Sequence, residues 1–225
     1  MNNIFDRSIG LLGEENFNLI QEKVIAVFGL GGVGGTALEA LARTGFKNLI
    51  LIDFDKVDPS NLNRQILYTA KDIGRNKVDA AKERILSINN EANVQTYNLK
   101  AQDFDFNQKI DFIVDAIDDV EGKLFILKKA QELSIPSIMS LGMANRFDPS
   151  KVKIAKLNQT HSDPLAKKIR YLAKQEGLDL SKISVVISEE LPQKNGEKLY
   201  STMMVPSSAG LSIAKYILEC IIDRK

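Results

Sequence analysis

A glycine-rich loop constrains the fold of this chain more than any other feature of its sequence. Five of the seven residues at positions 29–35 are glycine. The apolar run VIAVF directly before the loop predicts a buried strand, and the Ala- and Leu-rich segment at residues 33–44 predicts a helix. Between them, Gly29, Gly31 and Gly34 spell GxGxxG in the strand, turn and helix context that makes this short pattern informative.

The spacing of these glycines is typical of a nucleotide-binding turn. The first allows a tight bend, the second lets a phosphate approach the backbone, and the third lets the helix pack against the strand with its amino terminus facing the phosphate. The glycines expected to hold an adenine nucleotide are Gly29, Gly31, Gly32 and Gly34. Asp53 lies 19 residues after Gly34 at the end of the next predicted strand, where a carboxylate accepts hydrogen bonds from ribose hydroxyls. A turn that serves packing alone is the alternative.

Predicted strands and helices alternate through the first 150 residues. The strands are expected at residues 24–28, 49–53, 111–116 and 137–140, and the helices at residues 33–44, 76–89 and 122–133. This alternation predicts an α/β fold in which a doubly wound, Rossmann-like, mostly parallel sheet has helices on both faces.

The pattern changes after Asp148 and Pro149. The remaining residues predict a short antiparallel C-terminal extension: a strand at 152–157, a helix capped by Asp163 and starting at Pro164, a strand at 184–188, a turn at Asn195 and Gly196, and a helix at 211–222. We expect a single domain over residues 1–225, with a nucleotide-binding core at 1–150 and a basic extension at 151–225.

Positive charge is concentrated in that extension. Residues 1–150 carry 17 Lys and Arg against 21 Asp and Glu, whereas residues 151–225 carry 13 against 8. One short stretch contains Lys151, Lys153, Lys156, Lys167, Lys168, Arg170 and Lys174. Such a cluster is typical of a surface that binds a phosphate backbone, and the alternative is an ordinary solvated surface. Three aromatic residues of the second half have two possible roles, stacking on RNA bases or packing inside the protein: Phe147, Tyr171 and Tyr200.

The single cysteine limits the chemistry available to the chain. Cys220 cannot form an intramolecular disulfide, and one cysteine cannot build a zinc site, so we expect a reducing compartment. The sequence has neither a secretory signal pattern nor an apolar run long enough to cross a membrane, so we expect a cytoplasmic protein with no membrane partner. The apolar residues around Cys220 predict a buried thiol. His161, the only histidine, is a loop residue, a base or an RNA contact.

Polar side chains crowd the predicted carboxyl edge of the sheet. The segment DFDKVDPSNLNRQ supplies Asp55, Asn61, Arg64 and Gln65, and Lys77 opens the next helix. Open α/β sheets bind their ligands at this edge, and a mixture of cations and hydrogen-bonding groups suits a triphosphate better than a nicotinamide. The alternative for Arg64 and Lys77 is a role as ordinary surface cations.

The strand expected at residues 111–116 ends in a run of aspartates, DAIDD, which brings Asp115, Asp118 and Asp119 to the same edge. Carboxylates beside phosphates suit Mg²⁺, which takes one or two carboxylates together with phosphate oxygens. Asp118 is the candidate ligand, and its alternative is a helix N-cap. Asp55 either contacts the metal or braces the loop at residues 61–64.

These motifs together resemble the superfamily of ubiquitin-activating-type adenylating enzymes. The resemblance implies that Arg64 and Lys77 hold the phosphates of ATP, that Asp118 holds Mg²⁺ and that Asp53 binds the ribose. It also implies that a substrate carboxylate attacks the α-phosphate to form an acyl adenylate. An arginine near the N-terminus commonly reaches across a dimer interface to the ATP of the partner subunit in these enzymes, and Arg7 in FDRSIGLLGEE matches it. The resemblance therefore implies a homodimer.

The second half of the chain is similar to one branch of that superfamily, the tRNA threonylcarbamoyladenosine dehydratases. The similarity rests on MANRFDPSKVKIAKLNQTHSDPLAKKIR at residues 143–170 and on the later SEELP and VPSSAGL. It implies that ATP and Mg²⁺ are used to adenylate the carboxylate of the modified base in tRNA, after which a ring closes and water is lost. This sequence departs from the pattern of the family at Gly35, where a serine is usual. A contact between a serine hydroxyl and phosphate is therefore in doubt at this position.

Three alternatives remain open from the sequence. The first is an adenylyltransferase that activates the C-terminus of a small sulfur-carrier protein, although such enzymes usually carry two CxxC pairs that a single cysteine cannot supply. The second is a dinucleotide-binding redox or sensor protein, and the third is a non-catalytic RNA-binding adaptor. The sequence also leaves open whether a sulfur-transfer partner protein assists the reaction.

Overall fold

Seven strands form one sheet in the computed structural model, which describes residues 4–161, 163–193 and 198–222. The strands are β1 (Val24–Phe28), β2 (Asn48–Ile52), β3 (Asn93–Tyr97), β4 (Phe112–Asp115), β5 (Ser137–Ser140), β6 (Val152–Lys156) and β7 (Ser184–Ser188). The helices are α1 (Asp6–Leu12), α2 (Glu14–Glu22), α3 (Gly32–Thr44), α4 (Lys77–Ile88), α5 (Val120–Glu132), α6 (Pro164–Gln175) and α7 (Met204–Ile221).

The order of the strands across the sheet is β3-β2-β1-β4-β5-β7-β6. All neighbouring pairs are parallel except β6 and β7, which are antiparallel. The chain leaves β1 for β2 on one side and later crosses to β4 on the other side of β1. The expected doubly wound, mostly parallel α/β sheet with an antiparallel end is confirmed, and its topological switch point lies between β1 and β4.

Apolar side chains cover both faces of the central strands, as a parallel sheet with helices on both faces requires. Residues of β1 alternate between the faces: Ile25 and Val27 pack with α3, α4 and α7, whereas Ala26 and Phe28 pack with α5 and the aromatic rings that follow β3. The face of α6 that packs on the sheet joins β5 and β7 in a further cluster. In the described ranges no helix combines the length and hydropathy that crossing a membrane requires.

The predicted elements agree with the structure to within two residues at most ends, but three elements were not predicted. These are α1, α2 and β3. Strand β3 has the sequence NVQTY and lies at the edge of the sheet, where only Val94 is fully buried, so it lacks the apolar run that marks a central strand. The turn expected at Asn195 and Gly196 lies outside the described residues.

Helix α7 begins at Met204, seven residues before the expected start at residue 211. The sequence VPSSAG resembles a loop, but a proline is compatible with the first turn of a helix because its missing N–H has no intrahelical partner there. The small residues of this segment are needed for contact with α3. The hydroxyls of Thr36 and Ser207 lie 3.2 Å apart across the two helices.

Gly210 lies where α7 crosses α3 most closely. A Cβ atom there would lie 2.5 Å from the carbonyl oxygen of Val33 and 2.8 Å from the backbone nitrogen of Ala37. Both of these atoms belong to the backbone of α3, so they cannot move aside as a flexible side chain does. The close packing of α7 on α3 therefore depends on a residue without a side chain.

We predict that Gly210→Ala lowers the free energy of unfolding by about 1–3 kcal/mol, because overpacking forces the two helices apart. Gly10→Ala is the matched control, since Gly10 is an exposed residue of α1 and a Cβ added there would have no neighbouring atom within 4 Å. In this control the free energy of unfolding is expected to rise by about 0.5–1 kcal/mol, because alanine has a better helix propensity than glycine. Urea denaturation of both variants measures the difference, and an equal gain in both would contradict close packing at Gly210.

Candidate active site

The candidate site lies at the carboxyl ends of β1, β2 and β4, at the switch point of the sheet. The glycine loop follows β1, the polar segment that contains Asp53 follows β2, and the DAIDD sequence follows β4. Ligands of open α/β sheets bind at this place because the loops there diverge and leave a crevice. The structure therefore brings together most of the residues that the sequence predicted for the site.

The glycine loop packs too closely against its neighbours to accept side chains at two positions. Gly29 has a φ of 85°, and a Cβ there would lie 2.7 Å from the carbonyl carbon of Ala116 after β4. A Cβ on Gly34 would lie 1.9 Å from the carbonyl oxygen of Gly29. At Gly31 the nearest atom is Nε2 of Gln65 at 3.9 Å, so the loop is open on that side. The first turn of α3 thus begins directly at the site, with room for a phosphate beside Gly31.

Asp53 fastens this loop to the end of β2. Its carboxylate accepts hydrogen bonds from the backbone N–H of Leu30 at 2.7 Å and from that of Asp55 at 2.8 Å. Burial raises the pKa of the Asp53 carboxyl, although the charge of Lys77 and these two N–H groups oppose the shift. Asp53 therefore positions the glycine loop in addition to the ribose contact expected from the sequence.

Lys77 and Asp55 form an ion pair next to Asp53. Lys77 Nζ lies 2.7 Å from Asp55 Oδ2, and the ammonium-bearing side chain is only 7% exposed, against 50% for the aspartate. The expectation that Lys77 is more than a surface cation agrees with this burial. The alternative that Asp55 braces the loop at residues 61–64 is wrong, because its carboxylate pairs with Lys77 and makes no hydrogen bond to a described residue of that loop. Asp58 braces the loop instead, since it accepts from Ser60 and donates its backbone N–H to Asn61 Oδ1.

The glycine loop is also contacted by Arg64 and Gln65. A Cβ on Gly32 would lie 3.6 Å from Cγ of Arg64, and the guanidinium donates to the carbonyl oxygen of Ser60 and to Oδ1 of Asn63. Gln65 is buried, and its Oε1 has no hydrogen-bond partner within the described residues. A buried acceptor without a donor is costly, which marks the Gln65 amide as a group that a ligand or water completes.

The three aspartates at the end of β4 and directly after it have three different roles in the structure. Asp119 caps α5, with Oδ2 accepting from the N–H of Gly122 at 2.7 Å. Burial opposes its ionisation, but the hydrogen bonds from Gly122 and Gln102 outweigh this and lower the pKa of Asp119. The alternative that Asp118 is the N-cap is therefore wrong. Asp118 is exposed, and its carboxylate makes no hydrogen bond or ion pair to another described residue.

Asp115 does not face the crevice, contrary to expectation. It is 1% exposed and forms an ion pair with Lys123 at 2.9 Å, and Lys123 also donates to the carbonyl oxygen of Ser140 at the end of β5. Burial raises the pKa of Asp115, against the opposing charge of Lys123. The sequence contained a signal for this pair, because Lys123 falls on the apolar face of α5 together with Val120 and Leu127.

Arg7 lies away from the site in its own chain. It is exposed on α1, and the N-cap residue Phe5 and the helical residue Ile9 line a groove with Lys47 and Asn89 at the amino ends of β2 and β3. The glycine loop lies at the opposite edge of the sheet. Arg7 therefore lies away from the glycine loop of its own chain.

Two further expectations concern residues outside this crevice. The prediction of a buried Cys220 thiol is wrong, because Cys220 is exposed near the end of α7. Position 220 lies on the same face of α7 as Ile213 and Ile217, but Ile217 is the last buried residue of the helix, and Cys220 lies beyond it in the final turn. His161 is exposed in the loop before α6, and its carbonyl oxygen accepts from the N–H of Asp163.

Comparison with known proteins shows what this chain is similar to. The model of the ThiF family matches residues 5–175. The chain is 36% identical over 192 residues to the tRNA threonylcarbamoyladenosine dehydratase of Bacillus subtilis, an alignment that covers 84% of this chain and 75% of that protein. It is 34% identical over 176 residues to the protein of the same name from Escherichia coli, covering 76% of this chain and 66% of the relative.

One solved structure resembles the chain over almost its whole length. The crystal structure of Escherichia coli tRNA N6-threonylcarbamoyladenosine dehydratase in complex with ATP matches with a TM-score of 0.91 at 30% sequence identity. The match covers 98% of this chain and 94% of that one. It therefore includes the part beyond residue 175, which the family model does not match.

The different roles of the two adjacent aspartates lead to a prediction about stability. We expect Asp119→Ala to lower the free energy of unfolding by about 0.5–2 kcal/mol, because α5 loses its cap. Asp118→Asn is expected to change it by less than about 0.5 kcal/mol, because an exposed carboxylate without partners contributes little to folding. Urea denaturation of both variants tests this, and an equal loss of stability in the two would contradict the assigned roles.

Proposed function

The chain belongs to the ThiF family, and we propose that within this family it is an ATP-dependent tRNA threonylcarbamoyladenosine dehydratase. The observation that carries this conclusion is the similarity to the Escherichia coli dehydratase over 98% of the chain, including the C-terminal part. Relatives of the same name at 36% and 34% identity point to the same substrate. The resemblance seen in the sequence is thereby confirmed, and it is favoured over the sulfur-carrier alternative.

ATP fits the crevice that the structure describes. The open side of the glycine loop at Gly31 leaves room for phosphate, with Gly29, Gly32 and Gly34 forming the rest of the turn. We infer that Arg64 and Lys77 neutralise the triphosphate, because both are cations beside this loop and Lys77 is held in place by Asp55. The other groups proposed to contact the nucleotide are Asp53 with the ribose, and Asn61 and the unpartnered Gln65 amide with the polar groups of ATP.

Asp118 is the residue that we propose as the ligand of Mg²⁺. No group of three or more His, Cys, Asp or Glu side chains that could hold a metal is present among the described residues. A single unpaired carboxylate fits Mg²⁺, since this ion usually takes only one or two carboxylates and completes its shell with phosphate oxygens and water. When bound, the ion supplies positive charge that stabilises the phosphate oxygens during adenylation.

The proposed reaction needs no covalent bond to the enzyme. The carboxylate of the threonine moiety attacks the α-phosphorus of ATP, and pyrophosphate leaves, which gives an acyl adenylate. The carbamoyl oxygen or nitrogen then attacks the activated carbonyl carbon, a proton is lost from the carbamoyl N–H, and AMP leaves with one oxygen of the former carboxylate. Because the attacking group is tethered to the electrophile, ring closure is effectively unimolecular and fast. The work of the protein is to position the groups and to stabilise charge on the triphosphate.

We further propose that the active form is a homodimer in which Arg7 reaches the nucleotide of the partner subunit. The placement of Arg7 on α1, remote from the glycine loop of its own chain, supports this arrangement. An arginine suits the role because its guanidinium binds phosphate oxygens in a bidentate way.

We predict that Asp118→Ala and Arg64→Ala abolish the reaction while leaving the fold intact. The protein is incubated with ATP, Mg²⁺ and tRNA that carries threonylcarbamoyladenosine, and the masses of the digested nucleosides are measured with the release of pyrophosphate. The wild type should give a nucleoside lighter by one water only when ATP is present. Asp179→Ala and Arg43→Ala remove the same charges at exposed positions remote from the site and should retain activity. Normal pyrophosphate release by Asp118→Ala or Arg64→Ala would refute the site assignment.

The dimer leads to a separate prediction about mixed subunits. Arg7→Ala and Asp118→Ala should each be inactive alone, because one lacks the arginine and the other lacks the metal ligand. When the two are denatured and refolded together, each heterodimer contains one site with an intact Asp118 and an Arg7 donated by the partner, so activity should return. If the mixture stays as inactive as its parents although heterodimers form, Arg7 does not act across the interface.

A further inference from the structure

The exposed face of α6 carries an unusual set of side chains. Its buried face consists of Ala166, Ile169 and Ala173, which pack under β5 and β7. With 100° of rotation per residue, the opposite side is centred on position 171. The exposed residues around that position are Lys167, Lys168, Tyr171 and Lys174. From Pro164 to Gln175 this helix contains no acidic residue.

The three lysines of this face have no acidic partner among the described residues. Other basic residues of the C-terminal part are already used: Lys153 pairs with Glu189, and Arg170 donates to the carbonyl oxygen of Thr160. Glu176, directly after α6, pairs with Lys128 of α5 at 2.7 Å. Within the basic cluster that the sequence showed over residues 151–174, the three lysines of α6 thus form a surface in which the cations are free to bind a ligand.

Tyr171 makes this surface different from an ordinary solvated helix face. Its ring is 62% exposed, and its hydroxyl accepts a hydrogen bond from Nε2 of Gln175 at 2.9 Å. The ring is not packed in the core, which excludes for Tyr171 the packing role that the sequence left open. An aromatic ring among lysines combines a stacking surface for a base with cations for the neighbouring phosphates, the combination by which proteins bind RNA strands.

The position of α6 relates this surface to the candidate site. Asp163 caps the helix through the N–H of Ala166, and it also pairs with Arg146 at 3.0 Å in a buried contact. Arg146 lies in the loop after β5 and donates to the carbonyl oxygen of Gly142, and β5 is the neighbour of β4, whose carboxyl end leads to Asp118. The first turn of α6 therefore begins at the edge of the sheet where the site lies. The lysines from position 167 to 174 extend away from it over about 10 Å of helix.

We propose that the exposed face of α6 binds the sugar–phosphate backbone of the tRNA near the modified nucleotide, with Tyr171 stacked on an unpaired base. The proposal rests on the proposed function, since it names the surface that holds the RNA substrate of the same site. The unpaired lysines favour a polyanion as the ligand. The exposed ring of Tyr171 favours an RNA with unstacked bases over a rigid duplex or an acidic protein surface.

The test compares two variants with the same change in net charge. The first combines Lys167→Glu, Lys168→Glu and Lys174→Glu on α6. The matched control combines Lys109→Glu, Lys182→Glu and Lys215→Glu, whose side chains are 67%, 77% and 67% exposed and lie elsewhere on the surface. The Kd for an unmodified tRNA transcript is measured between about 50 and 200 mM salt, and steady-state kinetics are measured with tRNA that carries threonylcarbamoyladenosine.

We expect the α6 variant to bind tRNA at least tenfold more weakly than the control variant. The slope of log Kd against log salt should fall by about 2–3, as the loss of three phosphate contacts implies. The KM for tRNA should rise, while kcat at saturating tRNA and the affinity for ATP stay unchanged. Tyr171→Ala should weaken binding, and Tyr171→Phe should restore it, because stacking needs the ring and not the hydroxyl.

The possible failures are distinguishable from one another. If the α6 variant and the control bind tRNA with the same Kd and salt slope, the docking surface is refuted even when the wild type dehydrates its substrate. If the wild type binds tRNA through α6 but leaves the modified nucleoside unchanged, the docking surface stands and the proposed function fails. If the wild type does not bind tRNA at all, both are refuted.

Discussion

The close approach of α3 to the strands around it is the constraint on which the rest of the structure depends. Gly34 lies so near Gly29 that a methyl group at Gly34 would overlap the backbone, and Gly29 in turn touches the segment after β4. Helix α3 can begin at the switch point of the sheet only because neither residue has a side chain. The amino end of α3 thereby points into the crevice between β1 and β4, where phosphate is stabilised by free N–H groups and the helix dipole.

Buried polar contacts fix the other walls of the crevice relative to that helix. Asp53 joins the loop after β1 to the end of β2, and the pair of Asp115 and Lys123 joins the ends of β4 and β5 through α5. A buried ion pair stabilises folding little in itself, but removing one partner leaves an uncompensated charge that costs several kcal/mol. These contacts therefore hold the site in one arrangement more than they add to overall stability, and they leave Asp118 free for a ligand.

The sequence predicted the α/β fold and most of the site because those features depend on local patterns. Central strands can be recognised as short apolar runs, and the glycine spacing can be recognised without knowledge of any tertiary contact. Prediction failed where burial by distant residues decides the outcome. The edge strand β3 has no apolar run, and the first turns of α7 resemble a loop until α3 packs against them. Cys220 lies in an apolar sequence but beyond the last buried residue of its helix.

By itself the sequence determined the class of sheet, the place of the phosphate-binding turn and the set of polar residues that share its carboxyl edge, because the alternation of strands and helices and the glycine geometry follow from local chemistry. Only the tertiary structure decided which members of that set remain available. Of the three aspartates at the end of β4 and directly after it, one is neutralised by a buried lysine and one caps a helix, while Asp118 stays exposed. Likewise, the fold left the lysines around Tyr171 on α6 unpaired while other basic residues nearby found partners. The availability of a charged group depends on neighbours that are distant in sequence, and only folding brings them together.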